Sequence, residues 1–83
     1  MSKQDEFLKQ VGTILNTLIG SIIASSILKN NLSKLNKSPS SMTKDDGEIL
    51  VENIVKAVSL FETNNESKVV RSELEKLLNL LNN

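Results

Sequence analysis

The apolar positions in the first half of the chain follow the spacing of an α-helix. Between Phe7 and Leu35 they recur three and four residues apart, and the strict alternation of a surface strand is missing. The main stripe comprises Leu8, Val11, Leu15, Leu18 and Ile22. We therefore predict a long or bent apolar helix over residues 5–35.

The length of this segment argues for a bend or for a partner. A straight helix from Phe7 to Leu35 would be roughly 43 Å long. A compact chain of 83 residues has a radius of gyration of only about 12 Å. Gly20 lies near the middle, and a glycine weakens a helix by about 1 kcal/mol relative to alanine. We expect two helices, or one bent helix, within a dimer.

The second half of the chain divides into a linker and two helices. Pro39 disfavours helical structure in the residue before it, and the stretch 38–41 has no periodic apolar position. Thr43 and Asp46 have the spacing of a capping box, in which each side chain bonds to the other residue's backbone amide. We predict a linker over 36–43 and helices over 44–61 and 66–81, all within one domain of residues 1–83.

Four small or polar residues of the first segment recur every four positions, namely Gly12, Asn16, Gly20 and Ala24. On an unbroken helix they would form one row along which a second helix could approach closely. The alternative is that the row faces water or a tight neighbour in the same chain. The sequence leaves both interpretations open.

An uncharged stretch over residues 11–28 has the length of a membrane span. Eight of its positions are small or polar, whereas a lipid-facing helix would be apolar all round. The stretch lacks the basic segment and the small-residue cleavage site that are typical of a signal peptide. We therefore expect a buried helix in a cytoplasmic protein. The alternative is a peripheral membrane protein that inserts residues 11–28.

Absent residue types exclude most chemistry. The chain has no His and no Cys, so the usual nucleophile–base pairs and zinc ligand sets are missing. Its three scattered glycines make no phosphate-binding loop. We expect no enzymatic activity, no cofactor and no metal.

The charge balance argues against nucleic-acid binding. Ten basic and ten acidic residues cancel, and Arg71 is the one arginine, whereas nucleic-acid binders need clustered positive charge. The distribution is uneven, because residues 29–44 carry four lysines and no acid, while residues 45–83 carry eight acids and four bases. This predicts either ordinary solvated surfaces or attraction between a basic middle and an acidic end, within one chain or between two.

One local stretch resembles the calcium-binding loop of the EF-hand family. In this alignment Glu62, Asn64 and Glu66 take three of the ligand positions. Glu73 takes the last position, where the family places its bidentate ligand. Two residues depart from the family pattern, since Ser67 replaces the turn glycine and Glu62 replaces an aspartate. The resemblance implies a calcium-responsive module, and an ordinary joint between two helices would give the same sequence.

These patterns predict an all-α fold, a small three- or four-helix bundle completed by homodimerisation. For function they predict a non-enzymatic protein–protein association module, with the calcium-responsive module and the peripheral membrane protein as alternatives. The expected partner is a second copy or a helix of another protein, and no nucleic acid. The residues expected at the interface are Val11, Gly12, Leu15, Leu18, Gly20, Ile22, Ala24, Leu74, Leu77 and Leu81.

Overall fold

A computed structural model of the chain describes residues 3–36, 38, 41–61 and 64–81. These residues form four α-helices and a C-terminal 3-10 turn. The elements are α1 (Lys3–Ile19), α2 (Ser21–Leu35), α3 (Lys44–Phe61), α4 (Asn64–Leu77) and the turn Leu78–Leu81. No strand occurs in this part of the chain, so the all-α prediction is confirmed.

The segment over residues 5–35 is two helices, because the backbone breaks at Gly20. Its φ of 87° and ψ of 153° lie in a region that is costly for any residue with a Cβ. Helical hydrogen bonds continue up to the break on both sides. The Gly20 amide donates to the carbonyl of Asn16 over 3.1 Å, and the Gly20 carbonyl accepts from the amide of Ala24 over 3.0 Å. Beyond the break α2 packs beside α1, and Leu28 comes to lie against Gly12.

The core lies where the inner faces of all four helices meet. α1 contributes one row of residues four apart, which places them on the same side of the helix. This row is Phe7, Val11, Leu15 and Ile19. The other buried apolar residues are Ala24, Ile27, Met42, Leu50, Val51, Ile54, Val55, Val58, Val70 and Leu74. The helices thus bury one apolar face each and leave polar faces outward.

The four helices close into a ring within one chain. Each packs on two neighbours in the order α1, α2, α3, α4 and back to α1, and no backbone approach joins the diagonal pairs among the described residues. The C-terminal turn lies against α1, α3 and α4. Gly47 makes room for it, since a Cβ at that position would overlap Leu81. The radius of gyration is 11.7 Å. Completion of the bundle by a second copy stays a prediction.

Local signals fix the two helix ends that flank the linker. The capping box is confirmed, because the Thr43 amide donates to Asp46 Oδ2 over 3.0 Å and the Asp46 amide donates to Thr43 Oγ1 over 3.2 Å. α2 ends at Asn36, whose φ of 54° is left-handed and whose amide donates to the carbonyl of Ser33 over 3.2 Å. Asparagine is one of the few residues besides glycine that adopt this conformation readily. These two features determine where α2 ends and where α3 begins.

Candidate docking groove between α2 and α3

A groove of about 650 Å³ runs along the outer side of the molecule where α2 packs beside α3. Its walls are Ile22, Ile23, Ser26, Ile27, Asn30, Asn31, Lys34, Asn53, Lys56, Ala57, Ser59 and Leu60. Three further concavities formed by the described residues have volumes of about 390, 300 and 170 Å³.

The α2 wall consists of two rows of residues spaced four apart. The outer row is exposed and comprises Ile22, Ser26, Asn30 and Lys34. The inner row comprises Ile23, Ile27 and Asn31, of which Ile23 is half-buried and the other two are buried. Side chains four apart on a helix lie above one another on one face. The regular spacing of the α2 sequence therefore produces a continuous wall.

The α3 wall lies beside the face that enters the core. Asn53 and Ala57 are half-buried at the floor, while Lys56 and Leu60 are exposed at the rim. The Ser59 hydroxyl donates to the carbonyl of Lys56 over 2.7 Å. Likewise the buried Asn31 amide donates to the carbonyl of Ile27 over 2.8 Å. Both polar groups bond within their own helices, so the floor between them is largely apolar.

Two large apolar side chains at this groove are exposed to solvent. Ile22 and Leu60 are each 83% exposed. The other exposed large hydrophobic residues of the described chain, Ile49 and Val69, are 50% and 45% exposed. A cluster of exposed apolar residues beside a concave surface is typical of a protein–protein interaction site.

The groove carries positive charge and no acid. Lys34 and Lys56 are the charged residues of its walls. The whole of α2 has no Asp or Glu. Neither lysine makes an ion pair with any described residue, whereas the recorded ion pairs join α3 to α4 or lie within α4. The groove thus takes its charge from Lys34 of the basic middle and from Lys56 of the acidic half, and Glu52, one turn before Lys56 on α3, attracts Lys56 electrostatically.

Glu52, which precedes the groove residues Asn53 and Lys56 on α3, is bound by Arg71 of α4. Both Glu52 carboxylate oxygens accept from the Arg71 guanidinium, over 2.7 Å and 3.1 Å. Glu75 lies 3.7 Å from the same guanidinium. The hydrogen bonds from Arg71 are the main cause of the lowered pKa of the Glu52 carboxyl. Desolvation opposes them with a smaller effect, and the charges of Arg71 and Lys56 lower the pKa further. Glu52 therefore remains an anion bound to α4.

The structure divides the residues expected at an interface into three groups. Val11, Leu15, Ala24 and Leu74 are buried in the core of the single chain. Leu18, Leu77 and Leu81 pack against that core and are partly buried. In the single chain the first four are enclosed by the chain's own fold, whereas Leu18, Leu77 and Leu81 are only partly covered by it. Their apolar spacing is the same for a core and for an interface, which is why the pattern could not separate the two.

Of the two interpretations of the small-residue row, Gly12 matches the second, a tight neighbour in the same chain, and the break at Gly20 interrupts the row. Gly12 packs against Leu28 of the same chain, and Gly20 is the exposed corner between two helices. The break at Gly20 gives α1 and α2 separate faces, so Gly12, Gly20 and Ala24 do not share one. Ile22 is the one predicted interface residue whose large side chain lies exposed in the groove.

Sequence reasoning missed Leu60, Lys34 and Lys56 as members of one site. Leu60 follows the buried Val58 by two positions, which on a helix places it away from the core face. The closeness of α2 and α3 could not be read from local spacing.

The remaining sequence-based alternatives meet structural obstacles. Residues 64–73 of the EF-hand alignment lie within α4, whereas the family's loop is irregular backbone around the ion, and Glu62 lies outside the described residues. Glu73 instead accepts from Lys76 over 3.0 Å. No group of three acidic side chains in the described part of the chain could hold a metal.

Most of the large apolar side chains in the stretch 11–28 are buried or partly buried in the single chain, and Ile22 is exposed. The main apolar residues of the stretch, Val11, Leu15 and Ile19, belong to the core, so their insertion would require the bundle to open. Among the described helices, none combines the length and the hydropathy that crossing a bilayer requires.

Comparison with known proteins gives no relative from which a role could be transferred. No protein-family model matches the chain, and no curated protein or solved structure is significantly similar to it.

Proposed function

We propose that this chain is a non-enzymatic association module that receives a helix in the groove between α2 and α3. The observation that carries the proposal is the exposure of Ile22 and Leu60 on one groove, each to 83%, whereas no other large apolar side chain of the described residues is more than 50% exposed. Grooves between packed helices are a recurring site for amphipathic helices. The small bundle serves as the scaffold that holds the two walls apart.

The two exposed side chains would supply a measurable part of the binding free energy. Burying one isoleucine or leucine contributes about 1.5–3 kcal/mol. Covering both would therefore contribute about 3 kcal/mol or more, which corresponds to roughly a hundredfold in affinity. The half-buried floor residues would add packing contacts around these two anchors.

Two occupants are consistent with such a module. A second copy would form the homodimer that the sequence predicts, with the groove as its interface. A helix of another protein would form a heteromeric complex. Both occupants cover the same two side chains, so the same substitutions test both.

The first experiment is the solution mass of the full chain, measured by light scattering after gel filtration over a hundredfold range of concentration. For a self-associating module we expect a multiple of 9.2 kDa that Ile22→Ser and Leu60→Ser each reduce to the monomer. Ile49→Ser is the matched control, because Ile49 is also exposed on α3 but lies outside the groove. A dimer that survives both groove substitutions would contradict the proposal.

A monomer at every concentration would remove the second copy as occupant. The module would then have to bind foreign helices, which a peptide selection tests directly. A monomeric chain that also selects no helical peptide would refute the proposed function.

A further inference from the structure

We infer that the occupant of the groove is an amphipathic helix of another protein whose apolar stripe is flanked by carboxylates. This inference rests on the proposed function and adds the chemistry and the orientation of the partner.

The charge of the walls selects against basic and neutral partners. Lys34 and Lys56 are exposed, have no ion-pair partner among the described residues and face a groove without a single acid. Lys29 extends the same charge along the exposed side of α2. A partner with flanking glutamates or aspartates would supply the missing counter-charges, and like charges would be repelled.

The groove has an apolar end and a basic end. α2 and α3 are consecutive helices joined by a short connection and packed along each other, so they run antiparallel. Ile22 of α2 therefore lies near Leu60 of α3, and Lys34 lies near Asn53 at the other end, with Lys56 between them. A partner helix would place its largest apolar side chain at the first end and its carboxylates near the second.

The length of the α2 wall sets the size of the partner segment. Ile22 and Lys34 are twelve residues apart on one helix, which corresponds to about 18 Å. A bound helix of about three turns covers this distance. An apolar anchor and a carboxylate two to three turns away on the same face would reach both ends at once.

A second copy matches this groove poorly. A twofold interface uses the same patch on both chains, so it would bring Lys34 and Lys56 of each copy together without an acid on either wall. The helices that carry exposed acids, α1, α3 and α4, already use their main apolar faces in the core. The chain therefore does not offer itself an acidic helix with a free apolar stripe.

The test is a selection from a display library of helical peptides of about 18 residues, long enough to span the groove. Each peptide has a fixed leucine stripe, and its flanking positions vary among Glu, Gln and Lys. The full chain is the target, and the Ile22→Ser chain is used for counter-selection. We expect enrichment of Glu over Lys in the flanks. We also expect the dissociation constant of the best peptide to rise about fivefold on Lys34→Glu.

The control separates the groove charge from the net charge of the chain. Lys9→Glu makes the same change in net charge on the exposed side of α1, outside the groove, and should leave the affinity within about twofold. A selection on the Lys34→Glu chain should shift the enriched flanks toward Lys. This reversal is the strongest form of the expected result.

Each other outcome overturns the inference and is distinguishable from failure of the proposed function. If peptides were enriched without a preference for Glu, the groove would bind helices but would not select them by charge. A dimer broken by Ile22→Ser, with no peptide enriched, would make the second copy the occupant. Binding to vesicles of anionic phospholipid that Lys34→Glu abolishes, with no peptide enriched, would make a lipid surface the occupant. A monomer that enriches nothing and binds no vesicle would refute both proposals.

Discussion

At the scale of single residues, the backbone of Gly20 determines how the first half of the chain folds. Its φ of 87° and ψ of 153° lie in a region that is essentially restricted to glycine. The sequence offered Gly20 both as a member of a small-residue row and as a break in the helix. Only the dihedral angles decide between these roles, because the local spacing of Gly12, Asn16 and Gly20 is compatible with either.

We predict that Gly20→Ala and Gly20→Asn both lower the free energy of unfolding, by about 1–3 kcal/mol. No atom lies within 4 Å of a Cβ at this position, so the cost would come from the backbone alone. Asparagine is included because it tolerates the left-handed helical region, as at Asn36, but not the region of Gly20. Urea unfolding followed by circular dichroism measures the effect.

The control for this prediction is Gly12→Ala. Gly12 lies inside α1, where a Cβ would be at an ordinary 3.8 Å from Leu28 Cδ2. Alanine there should stabilise the fold by about 0.5–1 kcal/mol through its helix propensity. A Gly20→Asn chain as stable as the wild type would show that residue 20 is not held in the glycine-only region.

At the scale of helices, local signals were predictable from the sequence and nonlocal ones were not. The capping box of Thr43 and Asp46 depends on residues three positions apart, so the sequence alone identified it. The Glu52–Arg71 pair joins residues nineteen positions apart, and only the packing of α3 on α4 brings them together. The helical spacing of the apolar residues in α1 was likewise evident from the sequence. That the buried row begins at Phe7 was not.

The Glu52–Arg71 pair predicts how stability depends on pH. Its carboxyl has a lower pKa in the fold than in the unfolded chain, so the pair stabilises the fold above the ordinary glutamate value of about 4.3. This contribution should disappear as the pH falls through the lowered pKa of Glu52. We predict that Glu52→Gln and Arg71→Gln each reduce the loss of thermal stability between about pH 5 and pH 3.

Thermal melts over this pH range measure the effect. Glu48→Gln is the matched control, one turn earlier on α3 and without an ion pair among the described residues, and it should respond to acid as the wild type does. Glu52→Gln with an unchanged acid response would show that the pair does not contribute.

At the scale of the whole molecule, the closed ring explains why the interface could not be predicted from apolar spacing. A core face and a docking face are both apolar stripes at helical intervals, and the ring decides which stripe turns inward. Leu15 and Ile22 belong to the same predicted stripe, yet Leu15 is fully buried and Ile22 is 83% exposed. Seven residues separate them, and the break at Gly20 lies between.

We predict that these two residues respond oppositely to truncation. Leu15→Ala should lower the free energy of unfolding of the monomer by about 2–5 kcal/mol, because it leaves a cavity in the core. Ile22→Ala should change it by no more than about 0.5 kcal/mol while weakening association. Urea unfolding at low protein concentration, together with the solution mass, distinguishes the two effects. A large loss of monomer stability on Ile22→Ala would place that side chain in the core.

The absence of acids from α2 also gives the two sides of the molecule opposite responses to ionic strength. Added salt screens the attraction between Glu52 and Arg71 and so loosens the contact of α3 with α4. The same salt screens the charges of Lys29, Lys34 and Lys56, none of which makes an ion pair with a described residue. Ionic strength therefore weakens an attraction on the α3–α4 side and a field of one sign along α2. A change of buffer thus acts on a different kind of force at each side of the molecule.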